Sequence, residues 1–176
     1  MTGKRNVILR DGTPGYVRPI VPSDRAALAA ALEDLAPDSR MRRFLFDRTS
    51  LSERELARLS NPDGFDHIAY GLAVDLEGEF TPIAVARCFR DPADGTLAEI
   101  AVVTADAWQG IGAGAELMRS LSAAAHAVGI RKWYVPMLSD NAAMRRLLDA
   151  FAVKLSERDF GSGIVELVYA IKDPSA

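Results

Sequence analysis

Ala98-Glu99-Ile100-Ala101-Val102-Val103-Thr104-Ala105-Asp106-Ala107-Trp108-Gln109-Gly110-Ile111-Gly112-Ala113-Gly114 carries an apolar extended segment into a glycine-rich turn, and an alanine-rich run follows it to Ile130. Ile100 to Val103 are apolar and mostly strand-compatible, while Leu117, Leu121, Ala124 and Val128 recur at helical spacing behind the glycines. The pattern predicts a strand that feeds through a turn directly into a helix. At such a junction the first helix amides have no intrahelical partner and the helix dipole adds partial positive charge, so the turn suits a phosphate. Glycines at 110, 112 and 114 would let that backbone come close to a ligand that a Cβ would hold off. Gln109, Gly110, Ile111, Gly112, Ala113 and Gly114 are therefore candidate ligand-binding residues, read as a pyrophosphate cradle.

Other phosphate-binding turns fit less well. A P-loop needs Lys followed by Ser or Thr at its end, and this turn ends in Ala115-Glu116. The dinucleotide fingerprint G-x-G-x-x-G would put a glycine at 115, where Ala115 stands. Gln109-x-x-Gly112-x-Gly114 resembles instead the acyl-CoA signature of the GNAT acetyltransferases, in which the turn amides hold the pyrophosphate of acetyl-CoA. Small residues ahead of a helix also serve plain close packing.

At 176 residues the chain has the length of one domain with one sizeable core, so residues 1–176 are read as a single domain. A hydrophobic fraction of 49% with 26% charged residues is that of a globular protein, and a net charge of -3 leaves no electrostatic footprint for nucleic acid. No apolar run reaches the roughly 18 residues of a membrane span, Met1 to Asp11 has no apolar core of a secretory signal, and Cys88 is the single cysteine, so no intrachain disulfide forms. These features predict a cytoplasmic protein with no nucleic-acid or membrane partner, a monomer or weak homodimer.

Val7 to Arg10 and Tyr16 to Pro19, separated by Asp11-Gly12-Thr13-Pro14-Gly15, read as a hairpin. Ser23 or Asp24 opens a helix to about Leu35, and Ser39 to Phe46 follows as a basic, phenylalanine-bearing helix. That helix has either a solvated arginine face or one that forms a wall of an acceptor site and meets an acidic partner. Ser52-Glu53-Arg54-Glu55 is a capping-box pattern for a further helix through Leu59. His67 to Asp75, Thr81 to Arg90 and the strand of Glu99 predict an antiparallel meander leading into the cradle, with Leu76-Glu77-Gly78-Glu79 as its first turn. Gly129 ends the long helix; Trp133 to Leu138 is a strand, Ser139-Asp140-Asn141 opens a helix to about Phe151, and Leu155 to Phe160 with Ile164 to Ile171 make a closing hairpin before a polar tail.

This order of elements is similar to that of the GNAT fold over nearly the whole chain. The resemblance implies an α/β (α+β) architecture with a central mixed, mostly antiparallel twisted sheet of about six or seven strands flanked by helices on both faces. More narrowly, Leu9-Arg10-Asp11-Gly12, Arg18-Pro19-Ile20, Ser39-Arg40-Met41-Arg42-Arg43-Phe44, Ser50-Leu51-Ser52 and Ala107-Trp108-Gln109-Gly110 resemble the catalytic domain of the Pat-type protein lysine acetyltransferases. That resemblance implies acetyl-CoA as co-substrate and a protein lysine as acceptor, such as the active-site lysine of acyl-CoA synthetases. A small-molecule amine is the alternative acceptor, and a catalytically silent CoA-binding regulatory module the alternative class.

Acyl transfer from a thioester needs a neutral amine, and a lysine of pKa near 10.4 costs about 4–5 kcal/mol to deprotonate at pH 7. Glu99 is the candidate general base, a carboxylate in an otherwise apolar strand that would be costly to bury without a purpose. The structural alternative is an exposed sheet edge or a pair with an arginine such as Arg87. The family resemblance carries Glu99 to the base and implies that backbone groups of Ile100, Ala101, Val102 and Val103, splayed from the next strand, pair with the pantetheine arm. Asn141 matches the family position whose side chain reaches that arm, and it is equally an N-cap. Many relatives place a tyrosine acid seven residues after that asparagine; here Leu148 stands there, so no general acid is assigned. His67, His126 and Cys88 are scattered, so no metal is expected.

Overall fold

Alternating apolar residues and glycine-rich turns deliver eight strands, and the computed structural model joins them in one sheet of order β1-β2-β3-β4-β5-β6-β8-β7. The described residues are 3–45, 50–76 and 78–173, with Arg43 described by its backbone alone; Phe46 of the basic segment, Glu77 of the second turn and the last three residues lie outside them. The strands are β1 (Arg5–Ile8), β2 (Pro14–Pro19), β3 (His67–Leu76), β4 (Glu79–Arg90), β5 (Leu97–Thr104), β6 (Lys132–Leu138), β7 (Ala152–Asp159) and β8 (Ile164–Ile171). Among the described residues five α-helices accompany them: α1 (Arg25–Glu33), α2 (Pro37–Phe44), α3 (Glu53–Ser60), α4 (Ala113–Ala127) and α5 (Ala142–Phe151). The sheet exceeds the expected six or seven strands because both strands of the first hairpin join it, β1 on β2 and β2 on β3.

Every pairing is antiparallel except β5 with β6, which run parallel because α4 crosses over between them. On β5, side chains alternate between faces. Ala98 and Ile100 are buried with Leu117, Met118 and Leu121 of α4. Val103, in one register row with Val85 and Gly71, lies on the opposite face and lines a cavity closed by Ala27, Leu28 and Ala31 of α1. Helices thus cover both faces, α4 one and α1 the other.

Local chemistry explains the boundaries. Ser52 accepts from the Glu55 amide while the Glu55 carboxylate accepts from the Ser52 amide at 2.9 Å, the reciprocal cap that starts α3. Arg18 grips Asp24 through both carboxylate oxygens at 2.7 and 2.6 Å, which locks the exit of β2 to the entry of α1 and holds the Asp24 carboxyl below its ordinary range. β7 begins at Ala152, directly after α5, three residues ahead of the expected Leu155. Buried Ala152 is already extended, with φ -149°, and pairs with Ile171, so register with β8 decides the boundary.

Candidate functional site

The parallel pairing of β5 with β6 lasts only from Leu97–Lys132 to Glu99–Tyr134. β5 continues to Thr104 on β4, and β6 continues to Leu138 on β8, so the two strands part after Glu99. Among the described residues the edge of β5 turned away from β4 has no strand partner from Ile100 to Val103, and peptide groups on such an edge are free to pair with an extended ligand. A cavity of about 260 Å³ fills the fork, bordered by Glu99, Ile100, Ala101 and Val102 on β5, by Val135, Pro136 and Met137 on β6, and by Asn141 and Met144 of α5.

A larger cavity of about 530 Å³ adjoins it, sharing Arg42, Val102, Asn141 and Met144 with the first and reaching Gln109, Gly110, Gly112, Ala113 and Gly114. The amides of Gly110, Ile111, Gly112, Ala113 and Gly114 make no hydrogen bond among the described residues. Gly112 is the N-cap of the 15-residue α4 and supplies no capping side chain, so unpaired donors and the positive end of the helix dipole lie at the turn that borders the cavity through Gly110, Gly112, Ala113 and Gly114. The geometry suits a pyrophosphate group.

Two of the three glycines have reasons other than ligand approach. Gly112 has φ +95°, and a Cβ there would come within 3.3 Å of Arg10 Cγ. Gly114 packs on α5, where a Cβ would meet Leu147 Cδ2 at 3.3 Å. Gln109 borders the larger cavity and is also bonded within the turn. Its amide reaches the Asp106 carbonyl at 3.4 Å, and its side-chain Nε2 donates to Asp106 Oδ1 at 3.0 Å and to Ser39 Oγ at 3.3 Å, so Gln109 braces the turn. Asp106 also accepts from Ser39 Oγ and, at 2.7 Å, from the Ala36 amide, which ties the start of α2 to the same turn.

Glu99 is exposed on the face of β5 opposite α4, at the mouth of the fork. The burial cost invoked from sequence therefore does not apply; its place at the end of the β5–β6 pairing makes it a candidate. Arg87 is not its partner. That guanidinium is buried and donates to the Leu59 carbonyl at 2.8 Å beside the His67 ring, while Glu99 stands opposite Phe89. Asn141 is an N-cap, its Oδ1 accepting from the Met144 amide at 3.1 Å, and the residue also lines both cavities. Leu148 is fully buried in the core.

Arg10, Arg42 and Arg146 also line the larger cavity; Arg42 belongs to the basic helix offered as an acceptor wall, whereas no sequence pattern gave Arg10 or Arg146 a binding role. Arg42 pairs with Asp38 at 2.8 Å and Asp140 at 3.2 Å, and Arg40 donates to the Leu35 carbonyl, so both arginines of α2 are bonded within the chain. The Arg10 and Arg146 guanidinium groups have no partner among the described residues. Among those residues no cluster of three or more His, Cys, Asp or Glu is arranged for a metal, and no helix is long and apolar enough to cross a membrane. Cys88 is buried, and burial pushes its thiol up to about 12.

Residues 29–152 match the model of the acetyltransferase (GNAT) family. Acetyltransferase Pat of Mycolicibacterium smegmatis is 32% identical over 162 residues, covering 92% of this chain and 47% of that protein, so the chain spans about half the length of that relative. Acetyltransferase PA5475 of Pseudomonas aeruginosa is 32% identical over 151 residues, 86% of this chain and 80% of that protein. The crystal structure of the GNAT domain of S. lividans PAT superposes with a TM-score of 0.80 at 31% identity, covering 96% of this chain and 97% of that one.

Proposed function

The chain belongs to the GNAT acetyltransferase family, and from that premise we propose that it moves an acetyl group from acetyl-CoA directly to a primary amine of a protein lysine, with Glu99 as general base. The observation that carries this reading is the continuity of the groove: five unpaired amides at one end, an open strand edge in the middle and a carboxylate where the strands part. The amides of 110–114, with Arg10 and Arg146, match the charge of the donor's phosphates. The backbone of Ile100 to Val103 and the Asn141 side chain match the amide groups of its pantetheine arm, which brings the thioester to the fork beside Glu99.

Glu99 would take a proton from the incoming ammonium, directly or through a water, and the neutral amine would then attack the thioester carbonyl. Holding both reactants in one groove converts a bimolecular encounter into an oriented one, and unpaired β5 amides suit the oxygen on which negative charge develops. The sulfur leaves as a thiolate, whose conjugate thiol has a pKa near 8.5, so the lack of an acid at Leu148 is no barrier.

A protein lysine is favoured as acceptor by the similarity to acetyltransferase Pat and to the S. lividans PAT domain, and the active-site lysine of an acyl-CoA synthetase is the acceptor to try first. Incubation of the full chain with labelled acetyl-CoA, a cell lysate and a panel of small amines tests the reading. Label on discrete protein lysines is the expected result. Label on small amines alone would replace the acceptor class, and no transfer to any amine would leave a silent CoA-binding module.

A further inference from the structure

Tyr134 is the residue opposite Glu99 in the last register pair before β5 and β6 separate. Register partners on neighbouring strands project from the same face roughly 5 Å apart, so the Tyr134 ring stands beside the Glu99 carboxylate on the face turned away from α4. Tyr134 Oη donates to Glu166 Oε1, on β8, at 2.5 Å. The single phenolic proton is committed to that bond, which leaves the oxygen lone pairs as acceptors. Burial, then Glu166 and Glu99, push the phenol up to about 12, so it keeps its proton across the neutral range. Of these three residues Glu99 borders the fork cavity, and Arg42, the cation among the described residues that lines it, is paired with Asp38 and Asp140.

The fork apex presents oxygen acceptors on neighbouring strands, the Glu99 carboxylate and the phenol oxygen of Tyr134, while Arg158 of β7 stands opposite Glu166 in register on the far side. A primary ammonium is the complement of those two acceptors, carrying three N–H donors, one positive charge and no acceptor. Resting on the reading of Glu99 as the base, we infer that Tyr134 and Glu166 form with Glu99 the receptor for the acceptor's ammonium, so that the enzyme selects alkylammonium acceptors over amines that enter uncharged. The cation enters on Tyr134 Oη and the Glu99 carboxylate, with Glu166 holding the phenol in its accepting orientation. Glu99 then takes one of the ammonium protons and leaves the nitrogen lone pair directed at the thioester. Glu166 acts through Tyr134 and is a positioning residue; Tyr134 is a binding residue.

Steady-state kinetics of the full chain with acetyl-CoA test this, using a lysine peptide, n-hexylamine and aniline as acceptors for wild type, Tyr134→Phe and Glu166→Gln. Hydrogen bonds to charged groups are typically worth enough to shift a binding constant by roughly ten-fold or more. The KM for peptide and for hexylamine is expected to rise by that factor in both variants while the KM for acetyl-CoA and any rate with aniline stay put. A shift confined to the peptide assigns the ammonium to a protein lysine, and one confined to hexylamine assigns it to a small amine; both support the receptor. Unchanged amine KM values in both variants, or amine and acetyl-CoA values rising together with a lowered melting temperature, would overturn it and leave the tyrosine as a sheet brace. A wild type that binds coenzyme A yet acetylates none of the three overturns the transferase reading as well, whereas turnover with unmoved variants sinks this inference alone.

Discussion

The Arg10 amide donates to the Ile111 carbonyl at 3.0 Å, so the turn of the first hairpin is bonded to the middle of the glycine-rich turn 101 residues away. The bond holds Arg10 beside the turn, where its side chain lies across Gly112 and lines the cavity bordered by the unpaired amides of Gly110, Gly112, Ala113 and Gly114. A guanidinium there adds a full charge to the partial charge of the helix end, and its bidentate geometry matches phosphate oxygens. Arg10→Ala keeps the backbone bond and loses the charge. Coenzyme A affinity measured by calorimetry should fall about ten-fold, and its dependence on salt should weaken, with the melting temperature unchanged.

Gly112 is held at φ +95°, a region that costs a residue with a Cβ about 1–3 kcal/mol. Gly112→Ala also drives a methyl to 3.3 Å from Arg10 Cγ. Thermal melting should fall by about 2–10 °C for a chain of this size, and coenzyme A binding should weaken beyond the loss seen in Arg10→Ala. A variant as stable as wild type would mean that the turn adopts another conformation in solution.

Glu99→Gln removes the base while leaving an exposed side chain of the same shape, so neither folding nor donor binding should change. General base catalysis is worth roughly 10²- to 10⁴-fold, and kcat/KM for the amine should drop within that range at pH 7. Raising the pH supplies more neutral amine and should recover part of the variant's deficit. A loss under about three-fold would remove Glu99 from the mechanism.

His67 provides a stability test away from the groove. Its ring is buried, stacked on Phe89 with centroids 4.2 Å apart, and Arg87 Nη1 lies 3.4 Å from Nε2. Burial, reinforced by the Arg87 charge, holds its pKa down to about 4 against 6.5 for the free side chain. Between those values the unfolded chain binds the proton and the folded chain does not, so stability falls as pH drops from 6.5 to 4 and this contribution is level outside the window. The span is about 3 kcal/mol at most. Denaturant unfolding from pH 7.5 to 4.5 should show His67→Gln losing less stability than wild type over the same interval; parallel curves would mean that the native histidine titrates normally. Asp24, held low by Arg18, loses stability with acid in both proteins and cancels in the comparison.

Local signals were legible in the chain and long-range ones were not. The strand, turn and helix around Gly112 could be read because periodicity and glycine spacing are short-range, as was the Asn141 cap, which needs only its own first turn. Glu99 stands out as a charge in an apolar strand, but the face it occupies depends on pairing with β4 and β6, so the burial argument fails for an exposed side chain. Arg10 and Tyr134 acquire meaning through partners 101 and 32 residues away, Ile111 and Glu166, brought together by sheet register. No local pattern marks such pairs.

Asp106 joins three parts of the site that sequence reading treated separately. Its carboxylate accepts from Gln109 Nε2, from Ser39 Oγ and from the Ala36 amide, connecting the signature glutamine to the start of α2, whose Arg42 borders both cavities. Asp106 is exposed, so water replaces the lost bonds at small cost and Asp106→Ala should lower the melting temperature by only a few degrees. Its effect should appear in binding. With Gln109 and the α2 start released, the turn must be ordered by the ligand, and that ordering is subtracted from affinity. Coenzyme A should bind several-fold more weakly in Asp106→Ala. Asp106→Asn, which keeps one carbonyl acceptor, should fall between Ala and wild type, and Ser39→Ala, which removes one bond of the set, should weaken binding less than Asp106→Ala. Equal affinities across the series would show that the turn is already ordered without the carboxylate.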